Sequence, residues 1–425
     1  MLMVMLTVAN ICSAGADAPL GKYAAQLQTE CRQLIADAVE RPYGIAWGDA
    51  PAVGKGTAAR PVSMEPGNSP AAGVVLLWAG ELLHDASLTN AAKKSAAAAM
   101  AAQAPSGQIA ALAMFGTTAD PKTDDTPLPD RASTTAGMGL MLAVLDPQLN
   151  RDQPLLDSVD RAARWMRKQH GNGSWLRADG TKRFIRLDDA DFRDSTFALL
   201  LEHEVLDRPD SRQAVERAVS QAISLQLNGM TEFLPGARLW GARYETSNEP
   251  VPDGDRPKDT ADLLATRYMT QTLLGVAVCW SHRSTVAELD RTAGRINPLR
   301  RTDGKWKRYE AVGASTPVEA PLGDFGLPPL LASIKSIKNL GRDRYKQLMT
   351  QGWPPKRQLI ATVVGLTDDP FTLDWPVAAS EVDAYVKAHS ADWQALESGI
   401  PQQLPARVRR LWILLNRAKL EAMAG

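Results

Sequence analysis

Apolar residues recur at three- and four-residue steps through most of the chain, the spacing of helices that bury one face. The clearest case starts at Pro154, where Leu155, Val159, Ala162, Ala163 and Met166 alternate with Arg and Lys on the opposite side. That pattern predicts a helix to about His170, stopped by Gly171-Asn172-Gly173. Similar spacing predicts helices over Leu20–Val39, Ala71–His84, Asn90–Ala102, Ser133–Leu145, Arg193–Leu206, Ser211–Leu227 and Asp259–Trp280. Strand-like alternation is scarce. Pro42 to Pro70 and Thr117–Pro129 read as loops because Pro and Gly break them.

The helices come in pairs joined by short turns, with long irregular segments between pairs. Such αα-hairpins must each cover an apolar face with a neighbour, so they stack into a solenoid or close into a ring. The expected fold is all-α, an αα-hairpin toroid or (α/α) barrel, with binding residues on the long loops at one end. It is assigned to residues 17–350. Trp353-Pro354-Pro355 marks a break, and 351–425 reads as a helical C-terminal extension in which Arg407-Val408-Arg409-Arg410 forms a solvated face.

Composition narrows the chemistry. Lys+Arg and Asp+Glu both number 48, so no net charge draws the chain to nucleic acid or to an anionic membrane. Residues 1–16 read as an export signal, apolar from Met1 to Ile11 and ending at Ala14-Gly15-Ala16, but with no Lys or Arg ahead of the apolar run. That places the protein in the periplasm or outside the cell, and no later segment is long and apolar enough to span a membrane. Cys31 and Cys279 remain in the mature chain, either as one disulfide or as two buried thiols. The five histidines are scattered, and no H-E-x-x-H, Walker A, dinucleotide or G-x-S-x-G signature occurs.

Three local features carry candidate chemistry. Asn172-Gly173-Ser174-Trp175 closes a helix and reads first as a hairpin-closing turn with a packed Trp, ahead of any binding role. Phe184 to Asp191 places Asp188, Asp189 and Asp191 before a helix, where capping explains one carboxylate better than three. Trp240-Gly241-Ala242-Arg243-Tyr244-Glu245 and Trp306-Lys307-Arg308-Tyr309-Glu310 each set an Arg between a Trp and a Tyr-Glu pair. A guanidinium among aromatic rings suits a sugar that carries a carboxylate, and ordinary surface pairing suits the same residues.

In this order the motifs over 155–345 resemble those of the pectate lyases of polysaccharide lyase family ten. The resemblance implies a helical toroid that cleaves polygalacturonate or another acidic polysaccharide by calcium-assisted β-elimination. It would make Arg243 the base, Asp188 and Asp189 the Ca2+ ligands, and Arg308, Trp175, Trp240, Tyr244 and Tyr309 the substrate contacts. An arginine base is chemically demanding, since a free guanidinium keeps its proton to a pH above about 12. The family's acidic central loop is missing here: Met230–Arg238 supplies only Glu232. An inactive polysaccharide-binding relative therefore stands as an alternative. So does a terpenoid-cyclase-like toroid, which Gln169, Gly173 and Trp175 suggest but which the 6% aromatic content disfavours.

Overall fold

The computed structural model describes residues 20–48, 60–115, 122–123, 131–148, 151–169, 176–179, 182–227, 238–253, 257–258, 260–280, 283–311, 320–339, 342–351, 353–369 and 375–424. Residues 1–16, Trp175 and Glu232 lie outside these spans.

The chain is mostly helical, and its helices form an αα-hairpin toroid. In chain order they are α1 (Lys22–Ala36), α2 (Ser69–Leu82), α3 (Ala86–Ala101), α4 (Arg131–Leu145) and α5 (Gln153–Gln169). Next come α6 (Asp191–Leu206), α7 (Pro209–Ser224), α8 (Leu263–Trp280), α9 (Arg283–Ile296) and α10 (Leu327–Asn339). The last are α11 (Arg342–Gln351), α12 (Pro355–Val363), α13 (Ala379–Ala388), α14 (Ser390–Gln394) and α15 (Leu404–Ala424).

Burial separates an inner from an outer ring. Helices α2, α4 and α8 are apolar around most of their circumference and nearly wholly buried, as a helix surrounded by other helices must be. Helices α3, α5 and α7 bury one face only. Along the inner ring α15 packs on α2, α2 on α4, α4 on α6, α6 on α8 and α8 on α10. Gly275 lets α8 approach α6, because a Cβ there would stand 2.3 Å from the Phe197 ring.

Two features depart from the sequence reading. Residues after 350 are no appendage: α12 packs against α4, α6 and α8, and α15 pairs with α1. Helices α1 and α15 thus make one hairpin of the toroid. Helix α12 also runs opposite to α2, since Arg357 at its start reaches Glu81 near the end of α2. Past its other end, Val364 accepts a 2.7 Å hydrogen bond from Gly67, ahead of α2.

The Arg407–Arg410 run is likewise not a solvated face. Arg410 is buried against Glu30 of α1 at 3.0 Å, and Arg407 meets Asp37 at 2.6 Å. Both thiols are free and shielded, and burial pushes Cys31 up to about 12.

The ends of the toroid differ. Turns from inner to outer helices are short, as at 83–85 and 207–208, whereas the described strands all lie in outer-to-inner connections. Strand Thr260–Asp262, at the start of the helix expected from Asp259, is one of them. The N-termini of the inner helices therefore open among strands at one end. Among the described residues, no helix is long and apolar enough to cross a membrane.

Candidate functional site at the strand-bearing end

Two small sheets bring the separate motifs together. Strand Lys182–Arg186 lies between Leu176–Asp179 and Arg243–Glu245, with Ile185 opposite Tyr244 and Arg186 opposite Arg243. Alternation sends Ile185 and Tyr244 into the core and leaves Phe184, Arg186 and Arg243 on the other face. There the Arg243 guanidinium lies 3.8 Å from the centre of the Phe184 ring. Strand Tyr309–Ala311 pairs with Thr260–Asp262, so Tyr309 stands opposite Asp262. Main-chain bonds tie the sheets, Leu187 N–H donating to Ala242, Asp262 N–H to Trp240 and Leu263 N–H to Arg308.

Arg308 is the junction. Its Nη2 lies 3.2 Å from an oxygen of Asp188 and 3.2 Å from one of Asp262. Arg186 forks onto both oxygens of Asp188 at 2.6 and 3.2 Å. Asp262 also caps α8, accepting from the Leu264 and Ala265 N–H groups at 2.7 and 3.3 Å. Burial pushes the Asp262 carboxyl up, and the Arg308 charge opposes that rise. Asp189 accepts from the Asp191 N–H at 3.1 Å, which is a capping role.

This arrangement does not fit calcium. Calcium takes about 6–8 oxygen ligands, whereas the Asp188 oxygens are engaged by guanidinium groups and Asp189 faces a backbone N–H. Among the described residues no group of three or more His, Cys, Asp or Glu side chains could hold a metal ion.

The sequence candidates divide. Arg243, Arg308, Asp188 and Tyr309 come together, and Arg243, Asp262 and Tyr309 line one small niche. Trp240 and Tyr244 do not face it. Trp240 is fully buried with its indole N–H on Ala222, and the buried Tyr244 hydroxyl accepts from Gly241. Both hold the loop in the core and present no ring to a ligand. Trp175 lies outside the described residues.

A second charged cluster, unforeseen from the sequence, lies beside the first at the starts of α6 and α8. Arg193 binds Asp194 at 2.7 Å, the Gln271 side chain at 2.7 Å and the Asp368 carbonyl at 3.2 Å. Gln271 and Arg267 reach the same carbonyl at 2.9 and 3.3 Å, and Arg267 approaches the Asp369 carboxylate at 3.6 Å. Burial pushes Asp194 and Asp369 up, opposed by Arg193 and Arg267 respectively. The signal that could have found this cluster is Arg193, Arg267 and Gln271 within stretches whose apolar spacing predicts packed helices. Such groups are buried only with partners.

Comparison with known proteins adds little. No family model matches the chain, and no curated protein matches it by sequence. The resemblance to pectate lyases thus rests on short motifs alone. Among solved structures, the chain is similar to a novel alpha-amylase from Clostridium perfringens at 13% identity and a TM-score of 0.43, covering 94% of this chain and 99% of that one. It is also similar to a GH8 xylobiose complex from Teredinibacter turnerae at 11% identity and a TM-score of 0.39, covering 94% and 97%. Likeness at that level assigns no chemistry, and the toroid described above rests on its own helix packing.

Proposed function

We propose that the protein is a polysaccharide-processing enzyme working at the strand-bearing end, and that its substrate is an acidic, uronate-bearing glycan cleaved by β-elimination. One observation carries this reading. Arg308 and Asp188, 120 residues apart, meet at 3.2 Å, beside a niche that Arg243 and Tyr309 share.

In the elimination the C5 proton, α to the uronate carboxylate, is removed. The C4–O bond then breaks, a C4–C5 double bond forms, and the departing oxygen takes up a proton. Negative charge builds on the carboxylate side, so fixed guanidinium groups favour the transition state. Arg186 and Arg308 supply them, and the hydrogen bonds of Arg308 hold it in place before substrate arrives. The motif resemblance gives Arg243 the proton-abstracting role. The export signal belongs to the same reading, because a polymeric substrate lies outside the cell.

Hydrolysis is the second reading, favoured by Asp369. Burial raises its carboxyl, as a general acid requires, yet its side chain is 44% exposed and within reach of a ligand.

The test is incubation with polygalacturonate and other glycans, following ultraviolet absorbance and reducing ends together. Absorbing unsaturated uronate that disappears in Arg243→Ala, by about 10²-fold or more, supports elimination. Reducing ends without absorbance, lost in Asp369→Asn, replace it with hydrolysis. Neither product from folded protein overturns both in favour of a polysaccharide-binding relative. Sequencing the N-terminus of protein recovered from the medium or periplasm checks export. A first residue of Asp17 supports it, and protein retained inside the cell with Met1 intact overturns it.

A further inference from the structure

A cavity of about 560 Å³ lies between α10 and α15, walled by α12 and α13. That volume is within the range of about 300–1,000 Å³ that small-molecule sites occupy. Four of the chain's 11 tryptophans line it, Trp353, Trp375, Trp393 and Trp412, with Tyr385 among them. The rings are set at angles: Trp353 lies 5.2 Å from Trp412 at 45° and 6.3 Å from Trp375 at 73°, and Trp375 lies 5.4 Å from Tyr385 at 58°. Asn416 fixes Trp353 by accepting its indole N–H at 2.7 Å. The Trp375 indole N–H, in contrast, is buried and has no acceptor among the described residues.

Polar groups share the lining. Asn416, Gln358, Ser336 and Thr367 stand among the rings, with Arg409 and Asp369 beside them. A purely apolar ligand would leave the buried Trp375 indole N–H without an acceptor. A sugar matches both parts, since its C–H faces stack on aromatic rings while its hydroxyls exchange hydrogen bonds with amides, hydroxyls and carboxylates. Asp369 joins this cavity to the Arg193–Arg267 cluster of the strand-bearing end.

We propose that this aromatic cavity is a saccharide-binding subsite that holds one end of a glycan chain whose next linkage lies toward Asp369. The proposal rests on the glycan-processing reading above, but its test does not depend on turnover.

The test is a fluorescence titration of the full chain with trigalacturonate, xylotriose, maltotriose, cellotriose and, as an apolar probe, farnesol. Saturable quenching by at least one trisaccharide is expected, weakened about tenfold or more, as loss of one aromatic stacking partner worth about 1.5 kcal/mol implies, in Trp412→Ala. Because Trp412 packs on Trp78 and Trp353, a second variant fills the space without removing a core ring. Ser336→Trp, from the half-buried face of α10, should abolish the quenching while the unfolding temperature stays within a few degrees of the parent. No saturable response to any trisaccharide, a response to farnesol alone, or quenching unchanged in a folded Ser336→Trp protein would each overturn the proposal. Trisaccharide binding without any cleavage would leave the subsite standing and sink the enzymatic reading. Cleavage that survives in Ser336→Trp with trisaccharide quenching unaltered would do the reverse.

Discussion

Two regions of this toroid are built on opposite principles. Around Arg308 the side chains are charged, and nearly every carboxylate oxygen described there meets a guanidinium or a backbone N–H. Around Trp353 the walls are rings, with amides, hydroxyls and charged groups set between them. The first region holds its geometry through electrostatic pairs that lose much if one member is removed. The second holds it through packing, which leaves empty volume where the rings do not meet. A ligand could enter the second without displacing any protein partner. At the first it must compete with Asp188 and Asp262 for Arg308.

The largest expected effect separates the two. Trp353→Ala removes a ring 5% exposed that contacts Trp78, Trp375 and Trp412, and should cost about 3–5 kcal/mol. Urea unfolding measures it, and a loss below about 1 kcal/mol would mean the rings do not hold this region together.

Next is Arg308→Ala, which strips the shared counter-charge from two carboxylates whose side chains are 5% and 2% exposed. A cost of about 3 kcal/mol is expected, as for a broken buried pair. Asp262→Asn in the same background should recover part of it in a double-mutant cycle. Simple additivity would show that Arg308 acts independently of Asp262.

Protonation gives smaller effects. Lys419 on α15 lies 4.3 Å from the centre of the Trp353 ring, and burial brings its amine down to about 7. Between pH 7 and the ordinary lysine value the unfolded chain binds more protons than the native one, so stability should rise with pH there. Lys419→Met should flatten that rise and add about 1 kcal/mol at pH 7. A slope unchanged by the substitution would remove Lys419 as its source.

Glu202 on α6, at the short-turn end, has the opposite sign. Burial raises it to about 7, against its hydrogen bond from Ser211 and its ion pair with Arg167. From pH 4.5 to 7 the native state binds more protons than the unfolded state, so this contribution is full below pH 4.5 and fades as pH rises to 7. Glu202→Gln should level unfolding curves across that window, and an unaltered slope would refute the assignment.

The charged region was partly legible because its residues sit in local motifs. Arg243, Arg308, Asp188 and Tyr309 each stand beside a helix stop or a strand, and the structure brings them together. Trp240 and Tyr244 misled for the same reason: a motif shows neighbours along the chain but not which face of a strand turns inward. The aromatic region was not legible at all. Its rings come from residues 353–412, read as an extension, and an overall aromatic share of 6% gives no hint that four tryptophans gather in one cavity.

The sequence by itself determined most of the helices up to Trp280 and their pairing into hairpins, because 3.6-residue periodicity and Gly or Pro stops act over a few residues. Only the tertiary structure decided that α12 packs on α4, α6 and α8 and that α15 joins α1. It alone decided that Arg410 is buried on Glu30, that Arg186 and Arg308 both pair with Asp188, and that a cavity opens between α10 and α15. Those outcomes depend on contacts between residues scores or hundreds of positions apart, and no local period encodes such distances.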